Sequence, residues 1–286
     1  MTARLLFLVL LILGIGTLLL VLVMVAREAY PALFQESGVW GLLLGDPWEP
    51  LSHPARFGVR HAWLSTLMVT AIALLLAVPM GLGIGIFIAE VAPRLIRKLL
   101  QPCLELLAGI PSVVYGFFGY VTLVPWFEST FEMGAGESLL AAGLILAVMI
   151  LPFIASTSAE AFRAVPYDLR EAALALGINR WYVARRIIAC HAASGIFAAI
   201  ALGLARALGE TLAVLMLAGN SVAVPSSFFD RGQPITALIV TELGEAGVGS
   251  PKHQALFAAA VVLMIVVVGI NMVIGLLKNR MIHARA

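Results

Sequence analysis

Apolar residues in this chain fall into six long blocks separated by shorter polar ones. Blocks of that length predict membrane-spanning helices, since a soluble helix or strand returns to a polar position every few residues. They run over residues 5–26, 61–89, 103–124, 138–158, 192–217 and 255–277. The first, at about 1.5 Å of rise per residue, covers about 33 Å, enough for a hydrocarbon core of about 30 Å. It exceeds the roughly 7–15-residue core of a cleavable signal peptide, so it is expected to remain as a span. Turn-rich segments occupy 27–60, 90–102, 125–137, 159–191, 218–254 and 278–286, and an even number of spans places both termini on one side. The expected organisation is an N-terminal span and outer loop over 1–60, then a five-helix core over 61–286 that carries a cytoplasmic loop at about 159–191.

Composition excludes a soluble domain. The 286 residues are 62% hydrophobic and 12% charged, with a mean hydropathy of +1.03, too little polar surface to face water all round. The net charge of +2 says little, but the placement of the basic residues sets the topology. Arg4, Arg94, Arg97, Lys98, Arg163, Arg170, Arg180, Arg185, Arg186, Lys278, Arg280 and Arg285 fall on one side. Arg27, Arg56, Arg60, Arg231 and Lys252 fall on the other, and Arg206 lies within a span. Twelve against five predicts that both termini and the 159–191 loop are cytoplasmic, in a multi-pass protein of the cytoplasmic (inner) membrane. Cys103 and Cys190 form no disulfide framework and read as helix-packing thiols. His53, His61, His191, His253 and His283 have no metal-ligand spacing, so no metal site is expected. Nothing in the sequence asks for nucleic acid.

Several spans contain helix breakers: Pro79 with Gly81, Gly83 and Gly85; Gly109, Ile110 and Pro111; and Pro152. Breaks survive in a membrane where neighbouring helices or a water-filled path satisfy the freed backbone groups, which predicts a translocation pathway. The alternative is ordinary packing, because Pro and Gly are common in membrane helices.

The 159–191 loop holds the most distinctive stretch, EAALALGINRWYVARRIIACH over 171–191. Pro166 suits a first helical turn, and Leu169, Ala172, Ala173 and Leu176 then share a helical face. Gly177 supplies the stop, and Asn179 caps a second helix carrying Arg180, Arg185 and Arg186. The product is a short, smooth-faced helix suited to a groove in a soluble partner. The alternative is an amphipathic loop lying on anionic lipid.

Glu171, Ala172, Ala173, Gly177 and Ile187 match the EAA signature of ABC importer permeases, with Ala189 and Cys190 in place of its closing Leu-Pro. The resemblance extends over nearly the whole chain to the phosphate-specific permeases, and more closely to the PstC type than to its PstA-type partner. It is carried by GDPWEP at 45–50, AVPMGLGIGIFIAEVAP at 77–93, GIPSVVYGFFG at 109–119 and ARALGETLAVLMLAGN at 205–220. It implies an all-α membrane protein of six transmembrane helices with the type I ABC importer permease fold, whose loop is a coupling helix received by an ATPase. It further implies a PstB-type ATPase dimer, a PstA-type permease alongside and a PstS-type phosphate-binding protein outside. The chain contains no GK dipeptide and hence no Walker A loop, so ATP and Mg would be bound by the ATPase subunit and not by this chain. A permease for another oxyanion, such as molybdate, sulfate or phosphonate, is the alternative cargo.

Candidate chemistry centres on Arg206, Glu210 and Thr211 in the fifth span. An intramembrane ionisable group is costly and marks a pathway or a fixed ion pair. Arg206 and Glu210 are four residues apart, which predicts a shared helix face, and the guanidinium fork matches phosphate oxygens. Glu210 would restrain Arg206 or accept a hydrogen bond from a protonated phosphate oxygen. Glu105, Ser112 and Tyr115 are further candidates for the path, each also suited to interhelical hydrogen bonding. Trp40, Trp48, Phe228 and Phe229 are candidate contacts for an outer partner, with interfacial anchoring as the alternative. An intramembrane enzyme using Glu210 or Glu105 lacks a partner nucleophile, and a stand-alone channel leaves the 171–191 stretch without a purpose.

Overall fold

The computed structural model describes residues 2–36, 38–45 and 48–283. Asp46 and Pro47 of the 45–50 segment, and Arg285 of the basic count, lie outside the described residues, as do Met1, Ser37, 284 and 286. α1 (Thr2–Pro31) continues through a π-helical turn (Ala32–Glu36) towards the short α2 (Gly38–Leu44). A small antiparallel hairpin, β1 (Trp48–Glu49) and β2 (Arg56–Phe57), pairs Trp48 with Phe57. α3 (Arg60–Ile86) ends in a second π-helical turn (Phe87–Val91). α4 (Arg94–Gly109) is followed by α5 (Ser112–Phe118) and α6 (Val124–Phe131), which a π-helical turn (Gly119–Leu123) joins into one rod. α7 (Leu139–Arg163) leads to α8 (Tyr167–Ala175), α9 (Arg180–Tyr182), the π-helical segment Val183–Ile188 and α10 (Ala189–His191). α11 (Ala193–Gly209), α12 (Leu212–Leu217), α13 (Ile235–Leu243) and α14 (Pro251–His283) complete the chain.

Four helices, Leu5–Phe34, Arg60–Val91, Leu139–Arg163 and Pro251–Leu276, are long and apolar enough to cross a membrane. Two bent pairs bring the number to six: Arg94–Gly109 with Ser112–Phe131 at 90°, and Arg180–His191 with Ala193–Gly209 at 74°. Four of the apolar blocks thus form single spanning helices, and the blocks at 103–124 and 192–217 fall on the two bent pairs, which bring the number up to six when each pair is one span. The block at 103–124 is not one helix, because it straddles the 90° corner at Ile110 and Pro111. Pro111 has no N–H and an extended ψ of 140°, so α4 stops and a new helix starts. The block at 192–217 breaks at Glu210, whose ψ of 135° is extended.

Of the three expected breaks only Gly109–Pro111 is real. α3 runs unbroken through Pro79 and its glycines, and α7 runs unbroken through Pro152. Gly81 serves packing instead, since a Cβ there would lie 2.8 Å from Ile154 Cγ2. In lipid, apolar side chains gain little by leaving hydrocarbon, so helices associate through close backbone approach at small residues. α3 and α7 pair along much of their length in this way, with α11 packed on both. Val69, Ala73, Ala77, Leu146, Ile150, Ile154, Ala207 and Leu217 are buried in the resulting cluster. A second cluster joins Ala29, Ala32, Trp48 and Phe57 of the N-terminal 60 residues to Ile235, Leu238, Leu256 and Ala259.

The start of α7 is tied to the 218–234 loop. Leu139 N–H donates to the Asp230 carbonyl (3.0 Å), Leu140 N–H to the Phe228 carbonyl (2.8 Å) and Ala141 N–H to Ser138 Oγ (3.1 Å). These bonds satisfy amide groups that a helix start leaves without partners. The turn itself is held by the Asp230 carboxylate, which accepts from Ser226 N–H (2.7 Å), Ser227 N–H (2.8 Å) and Ser226 Oγ (2.9 Å).

Candidate functional site

Two regions stand out, one inside the helix bundle and one at the end of α7. In the first, Arg206 sits in the last turn of α11, three residues before that helix ends at Gly209. Its guanidinium carbon lies 4.2 Å from the ring centroid of Phe153 on α7. A cation over an aromatic face gains about 0.5–2 kcal/mol, and the contact uses none of the guanidinium donors. Arg206 Nε is buried without a hydrogen-bond partner, and among the described residues Arg206 forms no ion pair. On α5, the Tyr115 hydroxyl donates to the Leu107 carbonyl at 2.8 Å.

The expected shared face of Arg206 and Glu210 is overturned. Four-residue spacing places two side chains together only in a continuous helix, and α11 ends between them. Glu210 instead repairs the break. Its Oε1 accepts from Ala213 N–H (3.3 Å) at the start of α12, and its carbonyl accepts from Thr236 Oγ1 (2.8 Å) before α13. Thr211, half-buried, donates to the Gly209 carbonyl at 3.4 Å. A cavity of about 10 Å³, the size of about one water, lies among Thr66, Thr70, Glu210 and Thr236. The bundle therefore presents an unpaired guanidinium beside a broken helix, where Glu210 Oε1, the Glu210 carbonyl and the Thr211 hydroxyl find partners within the chain.

The other candidates separate from this region. Glu105 is exposed on α4 and accepts from Gln101 Nε2 at 3.5 Å, while Ser112 is half-buried at the start of α5. Trp48 is 4% exposed and packs edge-on to Phe57, so it is no contact for an outer partner. Trp40, Phe228 and Phe229 are exposed, Phe229 stacking on Phe131 at 5.2 Å. Phe153 was not read from the sequence, because a phenylalanine in an apolar span carries no signal until its neighbour is known.

The second region is the 167–191 hairpin, whose helix start, stop and cap are those the sequence predicts. Pro166 precedes α8, Leu176 follows its last residue, and Gly177 adopts a φ of +74°, which L side chains rarely tolerate. Asn179 Oδ1 accepts from Trp181 N–H at 2.9 Å and caps the second helix. The expected single face divides in two. Leu169 and Ala173 turn inward with Val183 and Ile188, whereas Glu171, Ala172 and Leu176 point outward, Leu176 79% exposed. Ile187 packs at the edge of the inward cluster. Ala189 and Cys190 lie in α10, one turn before the 74° bend at Ala192. A cleft of about 450 Å³ opens beside α8, lined by Glu90, Arg170, Glu171, Arg180, Trp181 and Ile188 among others.

The family described as binding-protein-dependent transport system inner membrane component matches residues 81–283, most of the chain and both regions. The chain belongs to that family. It is thus the multi-pass inner-membrane component of an ABC importer, working with ATPase and substrate-binding partners, and ATP hydrolysis belongs to a separate subunit. The chain is 41% identical over 218 residues to a probable ABC transporter permease protein, YqgH, of Bacillus subtilis, covering 76% of this chain and 71% of that protein. It is 35% identical over 263 residues to the phosphate transport system permease protein PstC of Mesorhizobium japonicum, covering 85% and 80%. Among solved structures, a bacterial alginate ABC transporter superposes with a TM-score of 0.63 at 19% identity, covering 97% of this chain and 93% of that chain. The inward-facing MetNI methionine ABC transporter superposes with a TM-score of 0.59 at 20% identity, covering 80% and 95%. The fold of this inner-membrane component is that of type I ABC importer permeases.

Proposed function

We propose that the chain is the PstC-type permease subunit of an ABC importer that moves inorganic phosphate inward across the cytoplasmic membrane. The observation that carries this reading is the similarity, at 35–37% identity over most of the chain, to phosphate transport permeases named PstC from several bacteria. The unpaired guanidinium of Arg206 supports it, because an intramembrane cation without a carboxylate partner is disposed to take an anion. Phosphate contacts Arg206 in transit, and Phe153 holds the guanidinium in place without competing for its donors. Glu210 keeps the α11–α12 break in shape. Its second carboxylate oxygen is left to accept from a protonated phosphate oxygen, which a fully deprotonated sulfate does not offer.

The partners follow from the same reading: a PstA-type permease completes the pathway, a PstS-type protein delivers phosphate from outside, and a PstB-type ATPase dimer binds ATP and Mg. The twelve-to-five distribution of basic residues supports cytoplasmic termini and a cytoplasmic 167–191 hairpin, within reach of that ATPase. Its outward residues, Glu171, Ala172 and Leu176, form the docking face. Closure of the ATPase dimer moves the hairpin and switches the spans between two packings.

The test is uptake of labelled phosphate into proteoliposomes holding the four-component importer, with sulfate and molybdate as competitors. Phosphate uptake that neither competitor suppresses supports the reading. Preferential uptake of either competitor overturns the cargo, and full phosphate uptake by an assembled Arg206→Ala importer overturns the role of that residue.

A further inference from the structure

One route from the hairpin into the bundle runs along the chain through its second arm, where α10 bends into α11 at 74°. The structure offers a shorter one through the first arm. Arg170, on the side of α8 turned towards the bundle, reaches two other elements with one nitrogen. Its Nη2 donates to Glu90 Oε1 at 2.9 Å and to the Phe162 carbonyl at 2.6 Å. Glu90 lies in the π-helical turn that ends α3, and Phe162 lies in the last turn of α7. Both charged side chains are largely withdrawn from solvent, at 18% and 12% exposure, and Arg170 Nε is buried without a partner. The ion pair between exposed groups is worth little, but this one is half-buried, shares its donor with a main-chain carbonyl and spans three elements.

Two further features favour a mechanical role. A π-helical turn inserts an extra residue into the helix and re-aims the side chains beyond it, and such turns concentrate at functional sites. Arg97 Nη2 also donates to the Ala89 carbonyl (3.2 Å), so the same turn is held from α4 as well. The end of α3 is thus gripped by one arginine from the hairpin and one from α4. Helix α3 in turn lies along α7, whose Phe153 carries Arg206.

We propose that Arg170 and Glu90 form a strut that carries displacement of α8 directly into the paired helices α3 and α7, and that transport is tied to ATP hydrolysis through it. Arg170 is a positioning residue on this account, since it touches neither cargo nor nucleotide. The proposal rests on the docking role given above for the hairpin. A strut differs from a mere fold contact in what its loss does. Breaking it leaves the ATPase docked and hydrolysing, but hydrolysis no longer moves the spans.

The experiment compares Arg170→Gln, Glu90→Gln, Arg170→Lys and the exchanged pair Arg170→Glu with Glu90→Arg, each in the reconstituted four-component importer. Copurification of the ATPase is measured first, then phosphate taken up per ATP hydrolysed. Each Gln variant is expected to retain the ATPase and to lose about fivefold or more in uptake per ATP, within the range of long-range coupling effects. Arg170→Lys keeps a donor able to reach both acceptors and is expected to retain most of the ratio, and the exchanged pair is expected to recover part of it. An unchanged ratio in both Gln variants, or a proportional fall of uptake and hydrolysis together, overturns the strut. If Arg170→Gln fails to assemble, the nearly isosteric Glu90→Gln decides. Failure of the ATPase to copurify with the unaltered chain overturns the docking role instead, so the two ideas fail separately.

Discussion

The guanidinium of Arg206 rests 4.2 Å above the ring of Phe153, and it forms no ion pair with Glu210. An arginine paired with a carboxylate would present a neutral surface to an incoming anion, whereas one supported by an aromatic face keeps its charge and its donors. Loss of the ring in Phe153→Leu is expected to lower phosphate uptake about 2- to 30-fold, the equivalent of the cation–π contact, while Phe153→Trp retains it. Uptake at the wild-type rate by Phe153→Leu would show that the ring is only packing.

Glu210 makes a contrasting prediction. Its carboxylate closes the start of α12, so Glu210→Gln, which keeps an acceptor oxygen, is expected to preserve the thermal stability of the purified chain. Glu210→Ala removes that acceptor and should cost about 1 kcal/mol, read as a lower midpoint in a detergent melting experiment. Equal midpoints for the two variants would mean that the cap contributes nothing.

The two alanines of the 171–173 stretch point opposite ways. Ala172→Glu adds bulk and charge to the outward face of α8 and is expected to abolish ATPase copurification with little effect on stability. Ala173, 6% exposed against Val183 and Ile188, has no room for a large side chain, so Ala173→Leu is expected to destabilise the hairpin by about 1–3 kcal/mol. Limited proteolysis at the hairpin separates the two, and equal susceptibility would contradict the inward and outward assignment.

A steric prediction concerns Gly116, where α5 crosses α12. A Cβ there would lie 2.8 Å from Ala213 Cα and 3.0 Å from Met216 Sδ. Gly116→Val forces the helices apart and is expected to cost about 1–3 kcal/mol, whereas Gly83→Ala on α3, with open space around it, should be tolerated. Melting midpoints that rank the other way would overturn the close crossing.

The Asp230 turn carries a pH dependence. The N–H groups of Ser226 and then Ser227, followed by the Ser226 hydroxyl, hold its carboxyl below the ordinary 3.8. A carboxyl depressed in the folded state stabilises the turn at every pH above the ordinary value, and that contribution fades as pH falls below 3.8 through the depressed value. Protection of the Leu139 and Leu140 amides, which donate to this turn, measured against the exchange rate of an unfolded chain at the same pH, is expected to be high near neutral pH and to fall only in strong acid. Asp230→Ala should exchange fast throughout, and an acid response surviving in that variant would assign it to another group.

The number of spans and the hairpin were readable because each rests on local chemistry. Apolar length, a left-handed glycine at 177 and a cap at Asn179 act within a few residues of themselves. The interior of the spans was less readable. Pro79 and Pro152 suggest breaks, yet both helices continue through them, as membrane helices do where neighbours satisfy the freed backbone groups. The break at Glu210 has no proline to announce it and depends on Thr236, 26 residues further on. Phe153 beneath Arg206 and Glu90 beside Arg170 are partners at a distance of 53 and 80 residues, which no periodicity reveals.

Helix α7 carries the first of those distant partners, Phe153, and through the Phe162 carbonyl it also holds Arg170. Phe153, under Arg206, and Phe162, whose carbonyl holds Arg170, sit nine residues apart on it, about 13–14 Å along its axis. A single axle thus has the aromatic support of Arg206 at one station and the anchor of the hairpin arginine at the other. On the reading proposed above, turning it by even a fraction of a helical turn swings the ring from beneath Arg206 as the hairpin shifts, so that cargo grip and nucleotide state keep time through one moving part.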